Sequence, residues 1–254
     1  GANWMGLEEP SLFADYVGDA AMVIAPMLYA TNEEYNYVMD SEFVANLIEE
    51  LKESNIHILD THYSFGFRSV CSNLDVYTPE DLHGHQFRAT SSALFAKTLE
   101  CLGATPVVMG FTDCLAAIQQ GVVEGFEGSV STLAGAGEPY ELVKKVASTN
   151  HLIATRWLFM PEDVWQTIPE KYQKIIEECA YDCGMWEQTS CQDDEATQIE
   201  MLKEHGVTWN DVDLVAFQEA CKPVIDWIVE EYGSTYEAYD ELTRLVAEYR
   251  ANNG

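Results

Sequence analysis

From residue 78 to 128 the chain reads TPEDLHGHQFRATSSALFAKTLECLGATPVVMGFTDCLAAIQQGVVEGFEG, and strand-like and helix-like pieces take turns along it. Thr78, Pro79 and the acids behind them open a short helix that Gly84 ends. Residues 85–89 read as a strand, 91–102 as a helix closed by Gly103, 105–109 as a buried strand, 112–120 as a helix closed by Gly121, and 122–126 as a strand. Strand, helix, strand, helix, strand at this spacing calls for right-handed crossovers and a largely parallel sheet, hence an α/β domain. Ligands of such sheets sit beyond the carboxyl ends of the strands, beside helix N-termini. Arg88, Ser91, Phe111 and Thr112 fall at those junctions.

Charge narrows the partners. Forty-three acids against thirteen Lys and Arg leave a formal net charge of −30, which repels phosphate backbones and anionic membranes, so nucleic acid is not a partner. The arginines are Arg68, Arg88, Arg156, Arg244 and Arg250. Arg244 and Arg250 lie in a polar C-terminal helix and read as solvated. Arg68 and Arg88 each follow a phenylalanine in a strand-like segment, where an unpaired charge is costly. Each needs an anion, either an internal acid such as Glu127 or a ligand carboxylate.

Catalytic and metal chemistry find no motif. The seven cysteines show no CxxC spacing, and Cys179 with Cys183, four apart on one helical face, read as small buried apolar residues. His83 and His85 flank Gly84 without a third ligand placed by spacing, so they read as surface histidines. Ser91 and Ser92 lack a GxSxG elbow, and Cys71 or Cys114 lacks a placed His and Asp or Asn partner. The chain reads as a binding protein, not an enzyme, with no cofactor. No apolar stretch is long enough to span a membrane.

The remaining chain surrounds this unit. Residues 1–29 read as a loop and short helix leading into an extended run, AMVIAPMLYA; 31–51 as a helix with Ser41 a fitting cap; and 56–71 as a β-rich crossing in which Gly66 permits a bulge. A helical piece at 138–146 precedes a strand at 152–160. From Pro169 a helical pattern runs to Glu204, roughly 50 Å of helix and longer than one small domain is wide. A strand at 207–210 and amphipathic helices at 212–232 and 235–249 complete the chain.

In this order, GFR at 66–68, TPEDLHGHQFR at 78–88, LGATPVVMGFTDCLAAIQQGVVEGFE at 102–127, TNH at 149–151 and IPEKYQKII at the start of the long helix resemble the DctP-type solute-binding proteins of TRAP (tripartite ATP-independent periplasmic) transporters. The resemblance implies a two-domain periplasmic-binding-protein-like α/β fold with hinge strands and one long domain-spanning helix. Residues 1–65 plus 154–193 would form domain I, and 66–153 plus 194–254 domain II. Family members begin with a strand, helix, strand, helix unit that this sequence does not contain, so domain I is expected to be incomplete.

The resemblance also implies roles. Arg88 would grip a solute carboxylate through both arms of its guanidinium, with Arg68 the second cation, Phe111 an aromatic wall, Ser91 a polar contact, and Glu127 an acid that fixes an arginine. Gly128 stands where sialic-acid-type members carry Asn. Trp157 on the returning strand reads, from its position alone, either as core or as a stacking wall that lines the cleft from the other domain. The function implied is capture of a small organic carboxylate, outside the cytoplasmic membrane, for delivery to TRAP membrane subunits by a monomeric protein, either free in the periplasm or lipid-anchored. The alternative is the extracytoplasmic sensing domain of a signalling receptor.

Overall fold

The computed structural model describes residues 4–253. In chain order the elements are β1 (Gly6–Glu8), α1 (Asp19–Met22), α2 (Asn32–Met39), α3 (Glu42–Glu53), β2 (Ile56–Ser72), β3 (Gln86–Ala89), α4 (Ala93–Cys101), β4 (Thr105–Val108), α5 (Phe111–Gln119), β5 (Gly125–Gly128), α6 (Val130–Leu133), β6 (Lys145–Pro161), α7 (Glu162–Trp165), α8 (Glu170–Glu204), β7 (Thr208–Asn210), α9 (Leu214–Tyr232) and α10 (Tyr236–Asn253). Short 3-10 turns at Pro10–Phe13, Pro79–Leu82 and Pro139–Glu141 each start on a proline, whose fixed φ suits a first helical position.

The chain divides into two compact units. The first holds residues up to Phe65, Thr155–Cys191 and the chain from Ile228 on; the second holds Gly66–Ala154 and Gln192–Trp227. The last helix, α10, thus belongs to the first unit, where the sequence reading had put all of 194–254 in the second. Two long strands, β2 and β6, and the long helix α8 run from one unit into the other.

In the first unit β1 pairs antiparallel with the end of β6, Gly6 opposite Phe159 and Glu8 opposite Trp157. Thr31 caps α2 and Ser41 caps α3 through side-chain acceptors to Glu34 N and Val44 N, so the single helix expected over 31–51 is two, broken at Asp40. The run AMVIAPMLYA is not extended: α1 takes its start, and the rest turns through Met27 at a φ of 62°. Most of its apolar residues are buried all the same, among them Met22, Val23 and Ile24.

In the second unit the strands lie in the order β6, β2, β5, β3, β4, with β7 on the outer side of β6. The sheet is mixed, not largely parallel: β3 is parallel to β4 and to β5, and β7 to β6, but β2 meets β5 antiparallel. The expected helix over 138–146 is only the turn Pro139–Glu141, and β6 begins already at Lys145, where its partner β7 supplies backbone bonds that no sequence pattern announces. One face carries a core of Cys71, Cys114, Phe126, Leu133, Val143, Val146, Leu202 and Val207.

Candidate functional site

Within the second unit the chain leaves β3, crosses by α4 to β4, and returns by α5 to β5 on the other side of β3. Successive right-handed crossovers in opposite directions put α4 and α5 on opposite faces of the sheet, which makes β3 a topological switch point. Arg88 is the third residue of β3, level with Val107 of β4 and Phe126 of β5.

Alternation along β5 sorts the site residues. Phe126 and Glu127 point to opposite faces, and Arg88, in register with Phe126, shares its face. Phe111, at the first turn of α5 after Gly110, packs edge-on against Phe126 with ring centres 5.3 Å apart. The Arg88 guanidinium lies 5.5 Å from the Phe111 ring centre, a cation–π contact, and its Nε donates to the Met109 carbonyl at 2.9 Å. Among the described residues Arg88 makes no ion pair. Burial lowers the guanidinium's pKa from its ordinary value and the charge of Glu127 opposes that shift.

On the other face Arg68 is spoken for. It holds Glu127 through Nε to Oε2 and through Nη2 to Oε1 at 2.7 Å, with a further bond from Nη2 to the Glu127 carbonyl at 2.9 Å. Its guanidinium stacks over Phe95 of α4. Burial pushes the Glu127 carboxyl up, but the Arg68 charge and His151 pull it down further, to about 2. His151, fully buried, bonds Thr149 Oγ1 through Nδ1 at 2.8 Å and brings Nε2 to 3.7 Å from Glu127 Oε2. Sequence reasoning passed over His151, although the TNH run at 149–151 was the available signal.

Glycines let these strands approach. A Cβ on Gly125 would stand 2.1 Å from the Cys71 carbonyl oxygen, so β5 reaches β2 only with hydrogen there. Gly128 ends β5 opposite Ser69, and a Cβ on it would meet Thr132 Cγ2 at 3.1 Å. Ser91 is exposed in the bend before α4.

Trp157 stands apart from all of these. It belongs to the first unit, has 0% exposure, stacks on Phe13 at 5.8 Å and donates its indole N–H to Tyr35 Oη at 3.2 Å. A side chain with its body packed and its polar tip bonded is core, so the reading of Trp157 as a cleft wall is corrected. The described residues contain no group of three or more His, Cys, Asp or Glu able to hold a metal, and no helix long and apolar enough to cross a membrane.

The family model for "DctP: Bacterial extracellular solute-binding protein, family 7" matches residues 1–232. A curated relative, a solute-binding protein of Chromohalobacter salexigens, is 26% identical over 217 residues, which cover 84% of this chain and 64% of that protein. The chain therefore spans just under two thirds of that relative's length. Among solved structures, a TRAP periplasmic solute-binding protein from Desulfovibrio salexigens, in complex with diglycerolphosphate, is 33% identical with a TM-score of 0.93, covering 98% of this chain and 79% of that one. Another from Ochrobacterium anthropi, with bound L-fuconate, is 30% identical with a TM-score of 0.88, covering 97% and 80%.

Proposed function

Because the chain belongs to the DctP family of bacterial extracellular solute-binding proteins, we propose that it captures a small organic acid on the outer side of the cytoplasmic membrane and passes it, as a monomer and without chemical change, to TRAP-type membrane subunits. The observation that carries this reading is the contrast between its two inward arginines. Arg68 already has a carboxylate, whereas Arg88 has only a carbonyl at Nε and a ring beneath its plane. A guanidinium with its outer edge unpaired is suited to an incoming planar anion, which it meets with two parallel N–H donors.

The ligand class is a carboxylate borne on a short polar skeleton. L-Fuconate in one relative is such an acid, and diglycerolphosphate in the other shows the same kind of fold with a phosphate-bearing solute. Phe111 would flank the skeleton, Ser91 would donate at the rim, and Gly128, where even a Cβ would crowd Thr132, would present bare backbone. Arg68 and Glu127 act one step back: their mutual grip fixes the strand ends that carry Arg88 and Gly128.

Isothermal titration against a panel of sugar acids, C4-dicarboxylates and glycerol phosphates tests this. The wild-type chain is expected to bind at least one carboxylate, and Arg88→Ala to lose that binding by about 100-fold or more while melting at an unchanged temperature. Unchanged affinity in Arg88→Ala would overturn the assignment.

A further inference from the structure

A second chamber in the second unit lies away from Arg88 and Phe111, neither of which lines it, and borders the solute site only at Gly128. It encloses about 160 Å³ between α8 and the sheet, and its polar wall comes from Ser69, Ser129, Ser148, Asn150 and Glu195. Phe67 and Trp209 close it with aromatic surface.

The chamber is rich in oxygen and poor in positive charge. Ser69 and Asn150 bind one another, through Ser69 Oγ to Asn150 Oδ1 at 3.0 Å and Asn150 N to Ser69 Oγ at 3.1 Å. Ser129 is engaged by Ser131 at 2.8 Å. Glu195 differs from them. It is half-buried, one oxygen lies 3.8 Å from where a Cβ on Gly66 would stand, and no Lys or Arg among the described residues pairs with it. Burial pushes its carboxyl up.

We propose that this chamber is a binding site for a small organic ammonium ion. The carboxylate of Glu195 supplies the opposite charge, the hydroxyl and amide oxygens accept the N–H bonds, and Phe67 and Trp209 line the same space with aromatic side chains. A water's share of liquid volume is about 30 Å³, so the space suits a guest of roughly five non-hydrogen atoms. The chain's net charge of −30 enriches cations around it, whatever the anion bound at Arg88.

The probe is ethylammonium chloride, titrated against the full chain with Trp209 fluorescence and calorimetry as readouts, and potassium chloride as the control. Saturable binding with a midpoint near or below about 10 mM is expected, given the small number of ligand atoms. Glu195→Gln should weaken it at least about tenfold, and Glu195→Asp less, because the charge remains. Arg88→Ala, which removes the proposed anion contact, should leave ethylammonium binding intact, so this site and the solute site fail independently. Absence of saturable binding, equal affinity in Glu195→Gln, or equal displacement by potassium would overturn the proposal.

Discussion

Arg68 and Glu127 form a closed pair: two guanidinium nitrogens meet both carboxylate oxygens of Glu127, and Nη2 also takes its carbonyl, with both side chains buried. The Glu127 carboxyl sits at about 2 in the fold, against an ordinary 4.5. A depressed acid stabilises the fold fully above its unfolded pKa and loses that contribution as pH falls through the folded one. The window is thus from about pH 4.5 down to about 2, and the shift is worth roughly 3 kcal/mol.

Glu127→Gln leaves the Arg68 charge buried without its partner and should cost about 3–5 kcal/mol at neutral pH. The variant should also lose less stability than wild type between pH 5 and pH 3, because the group that titrates there is gone. Urea unfolding at the two pH values reads both effects; parallel acid sensitivity in the two proteins would contradict the pairing as the source.

Arg88→Lys separates charge from geometry at the proposed anion contact. Lysine keeps the positive charge but offers a point donor in place of a planar fork, and its stem cannot hold both the Met109 carbonyl and a carboxylate as Nε and the outer nitrogens of Arg88 can. Affinity for the cognate acid is expected to drop about 10- to 100-fold, between wild type and Arg88→Ala. Calorimetry ranks the three.

The region from β3 to β5 was legible because its signals are local. Glycines close each helix, with a short strand after each, although β4 is largely exposed where a buried strand was expected over 105–109, and β5 runs over 125–128 in place of the expected 122–126. What escaped depends on which distant segment covers a surface. Cys179 and Cys183 share a helical face, but that face is exposed, since periodicity shows that residues lie together and not which way they look. Trp157 resembled a wall residue until Phe13 and Tyr35, far away in sequence, proved to enclose it. The arginines divided similarly. Both follow a phenylalanine in a strand, and only the β2–β5 register decides that Arg68 finds Glu127 while Arg88 does not.

Gly184 tests a close approach inside the first unit. A Cβ there would stand 2.2 Å from Asp60 Oδ2. Asp60 cannot swing aside cheaply, because Oδ2 accepts the His62 backbone N–H at 2.9 Å and Oδ1 bonds His62 Nδ1 at 2.9 Å. Replacing glycine by alanine within a helix ordinarily gains about 0.5–1 kcal/mol. Here the overlap should outweigh that gain, for a net loss of about 1–3 kcal/mol. Combining Gly184→Ala with Asp60→Ala removes the obstructing carboxylate, so the alanine at 184 should then be tolerated; additive losses in this double-mutant cycle would show that the contact is not the cause.

The end of α10 is tied to the first unit by Arg250, whose Nε and Nη2 donate to Glu34 Oε1 and Oε2 at 2.7 and 2.9 Å. Glu34 lies in the first turn of α2 and also accepts the Ala30 N–H at 2.6 Å, so one carboxylate joins the entry of α2 to the last turns of the chain. Burial raises the Glu34 carboxyl's pKa, but the Arg250 hydrogen bond and the two backbone donors outweigh that and leave it lowered. The pair is neither fully buried nor fully wet: the Arg250 side chain is 52% exposed and that of Glu34 only 6%. Arg250→Ala should therefore cost more than a surface ion pair and less than a buried one, about 1–2 kcal/mol. Because the partners all lie in the first unit, amide exchange should quicken in α2 and α10 while β3, α4 and β5 of the second unit keep their protection. Uniform acceleration across both units would mean that the contact supports the whole chain and not its local anchor.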